Sequence, residues 1–227
     1  YKRQHIREVD AILHMIRCFD SSNIQNVNQT VDPVRDLEII ETEMMLADLE
    51  SIQKRLDKKN KKSLDKEQQD ILETTADCLN NNKDLIKINE KFDLATINKS
   101  GLLSLKPKIY VCNVDEKSIK NGNKYTNLFT EKFGKKNTLI ISADIENQIN
   151  QLSNEEKVNY MKMIGSDETG LKLMIKKGYD ILELDTFFTS GPEETRAWTI
   201  KKNSTAPNAA GKIPVSYTHL TLPTNSG

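Results

Sequence analysis

An α/β domain built on a doubly wound, mostly parallel sheet is predicted from three stretches of the chain. In Ala11 to Phe19 the apolar residues Ile12, Leu13, Met15, Ile16 and Cys18 follow one another almost without a break, as in a parallel strand buried on both faces. Lys106 to Glu116 is a second apolar run, stopped abruptly by Asn113, Asp115 and Glu116. Thr138 to Glu146 begins as a third, β-branched run and ends in Ser142-Ala143. Polar groups gathered where strands end mark the crevice in which such sheets bind ligands.

His14 lies inside the first run and reads as a satisfied core side chain rather than a catalytic base. At Asp32-Pro33 the period changes, with Asp32 suited to cap a helix and Pro33 to its first turn. Met45, Leu49, Ile52 and Leu56 then recur at steps of four, three and four, a heptad-like stripe. A basic tip follows at Lys54-Arg55 and Lys58, Lys59, Lys61 and Lys62. Leu64, Ile71, Leu72 and Leu79 mark a returning helix to about Asn80-Asn81-Asn82, so 32–100 reads as an antiparallel helical hairpin inserted into the α/β domain and projecting from it. Its lysines suit RNA phosphates, at a salt-dependent affinity.

Asn123 to Phe133 reads as the helix between the second and third strands, with Tyr125, Leu128, Phe129 and Phe133 on its inner face. Glu146 to Leu152 forms another short helix, and Ser153-Asn154-Glu155-Glu156 is the acid-rich start of the next, through Tyr160 to Ile164. Gly165 to Lys172 imitates the glycine spacing of a phosphate-binding loop, but Leu171 stands where that motif needs Lys. It is read instead as the loop opening a helix from Leu171 to Lys177 that ends at Gly178. From Ile181 two strand-like runs surround Ser190-Gly191-Pro192, with Trp198 as a core anchor. Residues 214–227 resemble a translated sequencing adaptor and are set aside.

Two of these blocks bear on a purine. In nucleotide-binding G domains a strand ends in Asn-Lys-x-Asp, where Asn orients the loop and Asp reads guanine. Here the order is Asn113-Val114-Asp115-Glu116, and Ser142-Ala143 has the form of the loop that closes over the base. Together with His5 to Phe19, Val31 to Asp36 and Phe187 to Ile200, these blocks resemble the YchF or Obg-like ATPase family, a branch of the Obg-related P-loop GTPases. The resemblance covers residues 1–213.

It implies a partial P-loop G domain in 1–31 and 101–180, a coiled-coil insertion in 32–100 and the start of a β-grasp TGS domain in 181–213. It further implies an ATPase using ATP (or GTP) and Mg2+, partnered by the ribosome or RNA. Asn113 bonds the base, Val114 packs on it, Glu116 takes the place of the guanine-reading Asp, and Ser142 and Ala143 close the far side. Glu116 is one methylene longer than Asp and Val114 replaces the Lys, which weakens strict guanine reading, and the resemblance implies ATP over GTP. A GTP-specific Obg-type switch and a non-catalytic coiled-coil adaptor are the alternatives. No Gly-x-x-x-x-Gly-Lys-Ser/Thr occurs, so the phosphate cradle and metal ligands are expected upstream of Tyr1, with no catalytic or metal-binding residue in this chain.

Composition narrows the rest. Lys+Arg and Asp+Glu are equal at 33 each among 227 residues, 29% of which are charged, and mean hydropathy is −0.60. That balance gives no steer toward DNA, and no apolar run is long enough for a membrane. Cys18, Cys78 and Cys112 make no metal-binding spacing and suit a reducing cytoplasm, the first and last as small core residues.

Overall fold

Three parallel strands order the first part of the chain, with helices filling the connections between them. The computed structural model describes residues 6–21, 30–57, 60–81, 83–165, 168–190 and 194–213. Their contacts divide it into two units, residues 1–175 and 176–227.

In the first unit, β1 (Ile12–Arg17) is an edge strand. His14 and Ile16 are buried, but Leu13 and Met15 are 45% and 55% exposed. The expectation of burial on both faces therefore fails, because among the described residues nothing covers the face carrying Leu13 and Met15. Asp32 accepts a hydrogen bond from the Arg35 amide and caps α1 (Pro33–Leu56). A 3-10 turn (Lys61–Ser63) leads to α2 (Lys66–Asn80), capped by Asp65. Two short helices follow, α3 (Ile86–Lys91) and α4 (Leu94–Ser100), the latter ended by left-handed Gly101. β2 (Lys108–Asn113) is the central strand. Next come a 3-10 turn (Glu116–Ser118), α5 (Lys124–Phe133), β3 (Thr138–Ile141), α6 (Ala143–Gln151) and α7 (Asn154–Ile164). α8 is Gly170–Ile181.

The register aligns Ile16 with Cys112 and Arg17 with Asn113, and on the other side Asn113 with Ile141. All three strands thus end level with Asn113. Beneath the sheet, Ile16, Cys18, Cys112 and Val114 pack with Leu37 of α1 and Phe129 of α5. Leu128, expected inside, is 58% exposed, since Thr126 and Phe129 take the inner face of α5.

A second core joins Ile52 of α1, Ile71, Leu72 and Cys78 of α2, Ile88 of α3, Ile97 of α4, and Leu102 and Leu105. The hairpin therefore does not stand as two free helices. α4 lies along it, with Thr96 donating to Glu67, Lys99 bonded to Asp65 and the Arg55 guanidinium to the Ser100 carbonyl at 2.6 Å. The buried stripe of α1 is Leu37, Met44, Asp48 and Ile52, one residue away from the expected Met45 and Leu49. The shift has a cause in the partner surface. Completely buried Asp48 accepts from the Leu103 amide (3.0 Å), the Ser104 amide (2.7 Å) and the Ser104 hydroxyl (2.8 Å), and faces Arg7 at 3.4 Å.

The second unit holds the antiparallel pair β4 (Leu184–Ser190) and β5 (Thr195–Lys201), then α9 (Ala206–Ala210). Trp198 is half-buried, its indole N–H donating to Thr189 with the Arg196 guanidinium over the ring. α8 runs through Gly178, where an end was expected. An interior Gly costs about 1 kcal/mol of helix propensity, and the last turn is held by Tyr179 to Thr199 and Asp180 to Lys202.

Candidate functional site

Asn113 sits where three segments meet. Its carbonyl accepts from the Cys18 amide at 2.8 Å, just past β1, and its side-chain Oδ1 accepts from the Ala143 amide at 2.9 Å, at the start of α6. The Val114 amide donates to the Ile141 carbonyl at 2.8 Å, carrying the β2–β3 pairing one residue further. One side chain thereby locks the two loops that follow β2 and β3, and it leaves Nδ2 as a donor with no partner among the described residues.

The other predicted residues divide around this clamp. Glu116 stands in the 3-10 turn after β2, whose start Asp115 caps through the Ser118 amide. Its Oε1 accepts from the Gln148 side-chain amide at 2.5 Å. Val114 departs from its expected role of packing on a base. It is 2% exposed and belongs to the core beneath the sheet. Ser142 is fully buried, its hydroxyl unpaired among the described residues. Ala143 is exposed, but its amide is committed to Asn113 rather than free to face a ligand.

A cleft of about 540 Å³ opens at this end of the sheet, lined by Phe19, Asp115, Glu116, Lys117, Asp144, Asn147 and Gln148. Three carboxylates against one ammonium disfavour a phosphate chain here and suit the uncharged ring of a ligand. Phe19 was assigned no role from sequence, yet it forms a wall of the cleft. The segment carrying it is strapped down: the Asn123 side-chain Nδ2 donates to the Cys18 carbonyl at 2.7 Å and the Tyr125 hydroxyl to Asp20 at 2.7 Å, while the Arg17 guanidinium lies 5.2 Å from the Phe19 ring centre. Gln148 was missed as well, although it stands one helical turn beyond Asp144 and so shares its face of α6.

The magnesium ion implied by the resemblance does not fit this donor set. Asp115 is used as a cap and Glu116 is held by Gln148, and among the described residues no three His, Cys, Asp or Glu side chains gather to hold a metal.

The loop that imitates a phosphate cradle is filled from within. The Glu146 carboxylate accepts from the Gly170 amide at 2.6 Å and the Leu171 amide at 3.1 Å, taking the place an anion would occupy at the start of α8. Ser166 and Asp167 lie outside the described residues. His14 is a core residue, its ring 5.9 Å from that of Tyr110, with burial and then the Lys108 ammonium lowering its pKa. Cys18 and Cys112 are both buried, and the Cys112 sulfur together with burial holds the Cys18 thiol well above the usual range.

The two basic-tip residues on α1 have partners. Arg55 bonds the Ser100 carbonyl and Lys54 pairs with Glu50, while Lys58, Lys59 and the Lys61 side chain lie outside the described residues. No described helix is long and apolar enough to cross a membrane.

The chain is 36% identical over 221 residues to the ribosome-binding ATPase YchF of Haemophilus influenzae, covering 94% of this chain and 61% of that protein. The same protein of Bacillus subtilis is 36% identical over 227 residues, with 92% and 60% covered. The solved structure of the Schizosaccharomyces pombe YchF GTPase superposes with a TM-score of 0.76 at 32% identity, across 94% of this chain and 61% of that one.

The chain belongs to the YchF family. A family model described as YchF-GTPase_C, a protein of unknown function (DUF933), matches residues 184–216, which hold β4, β5 and α9 and reach into the stretch set aside from 214. The chain thus spans about three fifths of the length of the YchF relatives it matches.

Proposed function

We propose that this chain carries the base-reading part of a YchF-type nucleoside triphosphatase that prefers ATP to GTP, with Asn113, Val114, Glu116, Ser142 and Ala143 as the purine site. The observation that supports it is the Asn113 clamp, which joins the two loops at the ends of β2 and β3 beside a cleft of about 540 Å³. Nδ2 of Asn113 is the donor this reading assigns to a purine N7, an acceptor that adenine and guanine share. Val114 contributes by fixing the β2–β3 junction through its amide, since its side chain is buried. Phe19 supplies an aromatic wall.

Phosphate binding, Mg2+ and hydrolysis of the β–γ bond are assigned to the part of the relatives' length that this chain does not span, so the chain alone is expected to hydrolyse nothing. Ribosome binding comes from the relatives' names. For this chain we place it on the α1–α2 tip, read as the family's coiled coil, where exposed Lys54 can exchange its weak pair with Glu50 for a phosphate, and on the 181–213 segment, read as the start of a TGS domain. The setting is the cytoplasm.

Asn113→Ala in the full-length gene product tests the site. Loss of the clamp should weaken ATP binding by about thirtyfold, two lost hydrogen bonds at ~1 kcal/mol each. Unchanged affinity for ATP would move the pocket elsewhere, and GTP bound tenfold tighter than ATP would favour the GTP-specific switch. A coding sequence without a phosphate loop ahead of Tyr1 would favour the adaptor.

A further inference from the structure

We infer that Gln148, oriented by Tyr160, is a specificity-determining residue of the cleft that turns Glu116 from a guanine reader into an adenine-tolerant acceptor. The role rests on the purine-site reading above. Gln148 Nε2 donates to Glu116 Oε1 at 2.5 Å, and Gln148 Oε1 accepts from the Tyr160 hydroxyl at 2.7 Å. The Tyr160 hydroxyl and the Glu116 carboxylate thus agree on one amide orientation, because the flipped amide would set its oxygen against a carboxylate oxygen.

The scaffold under this chain is firm. Ile145 and Ile149 of α6 are buried against Met161 of α7, with Tyr160 and Ile164 packed on them. Gln148 is therefore carried by a helix that cannot turn without opening that core.

The consequence follows from the edges of the two bases. Guanine offers two neighbouring donors, N1–H and the exocyclic amine, and a carboxylate reads them best with both oxygens at once. With one lone pair of Oε1 given to Gln148 and the carboxylate held in that direction, the second guanine donor must share Oε1 with the Gln148 amide. Adenine offers one amine donor beside the N1 acceptor and needs only the other oxygen. The Gln148 amide thus handicaps guanine and leaves adenine nearly untouched.

The test is isothermal titration of ATP and of GTP into the full-length gene product carrying Gln148→Leu, Tyr160→Phe or Asn113→Ala, each checked for an unchanged circular-dichroism melt. Gln148→Leu should raise GTP affinity relative to ATP by about fivefold or more, the worth of one hydrogen bond of ~1 kcal/mol. Tyr160→Phe, which keeps the ring in the α6–α7 core, should shift the ratio the same way by a smaller factor. A purely structural role would lower both affinities together and leave the ratio alone. If Asn113→Ala weakens both nucleotides while the ratio in Gln148→Leu and Tyr160→Phe stays within twofold of the parent, Gln148 has no part in specificity. If Asn113→Ala changes neither affinity, the site reading itself falls. A ratio moving toward ATP would also overturn the role of Gln148.

Discussion

Replacing Asp48 with Ala should be among the most damaging single changes in the first unit. The side chain is completely buried and accepts three hydrogen bonds from the segment that leads into β2, two of them from main-chain amides. Removing it strands the Leu103 and Ser104 amides and leaves the Arg7 guanidinium with the Ala47 and Gly101 carbonyls as its partners. A buried donor left unsatisfied costs ~1–3 kcal/mol, and breaking a buried ionic cluster by removing one member costs ~3–5 kcal/mol. These overlap rather than add, so a loss of about 4 kcal/mol is expected.

Asp48→Asn should fall between parent and Ala, since it keeps one acceptor oxygen but turns an amide donor toward donors. Arg7→Ala should cost only about 1–2 kcal/mol, because its bond to Asp48 is long and its side chain partly exposed. Urea unfolding followed by circular dichroism at 222 nm reads all three, as helices dominate this unit. A loss below about 1 kcal/mol for Asp48→Ala would show that the 101–105 segment is not anchored through α1 and would refute the reasoning.

Two further outcomes are expected. The first concerns His14, whose pKa is lowered from 6.5 by burial and by Lys108, with Glu41 opposing and Tyr110 packed on its ring. The unfolded chain then takes up the proton first as pH falls, so the His14 contribution to stability is intact above about pH 6.5 and is lost progressively below it. His14→Leu should flatten the fall in urea midpoint between about pH 7 and pH 5.5, and an identical slope in both proteins would refute this. The second concerns Glu146. Glu146→Ala should uncover the Gly170 and Leu171 amides and cost about 1 kcal/mol, seen as faster hydrogen exchange confined to the first turn of α8. Unchanged exchange there would mean that the carboxylate does not cap it.

Much of the layout was legible along the chain because it rests on local rules. Asp32-Pro33 announces α1, Ser153 with Glu156 closes the capping box of α7, and the apolar runs within 11–19, 106–116 and 138–146 give three strands, although the first is covered on one face and not on both. Asn113 could be singled out for the same reason, as the first polar residue after a buried strand. Where local rules are balanced, the reading slipped. Met45 and Leu49 make as good a helical stripe as Met44 and Asp48, and only the amides of Leu103 and Ser104, more than fifty residues away, decide that a carboxylate turns inward. Val114 looked like a base contact because it follows Asn113, but strand alternation carried past the strand's end points it into the core.

What the sequence determined by itself is the three parallel strands, the longer helices and their order, though not the short helices α3, α4 and α9, and the polar residues waiting at the strand ends, because capping, periodicity and turn chemistry act between near neighbours. What only the tertiary structure decided is which groups meet: Asn113 with Ala143, Glu116 with Gln148, and Phe19 on the wall of the cleft that Glu116 and Gln148 also line. These pairs are separated by 30 to more than 100 positions. They are brought together by sheet register and helix packing, which no pattern within one segment encodes.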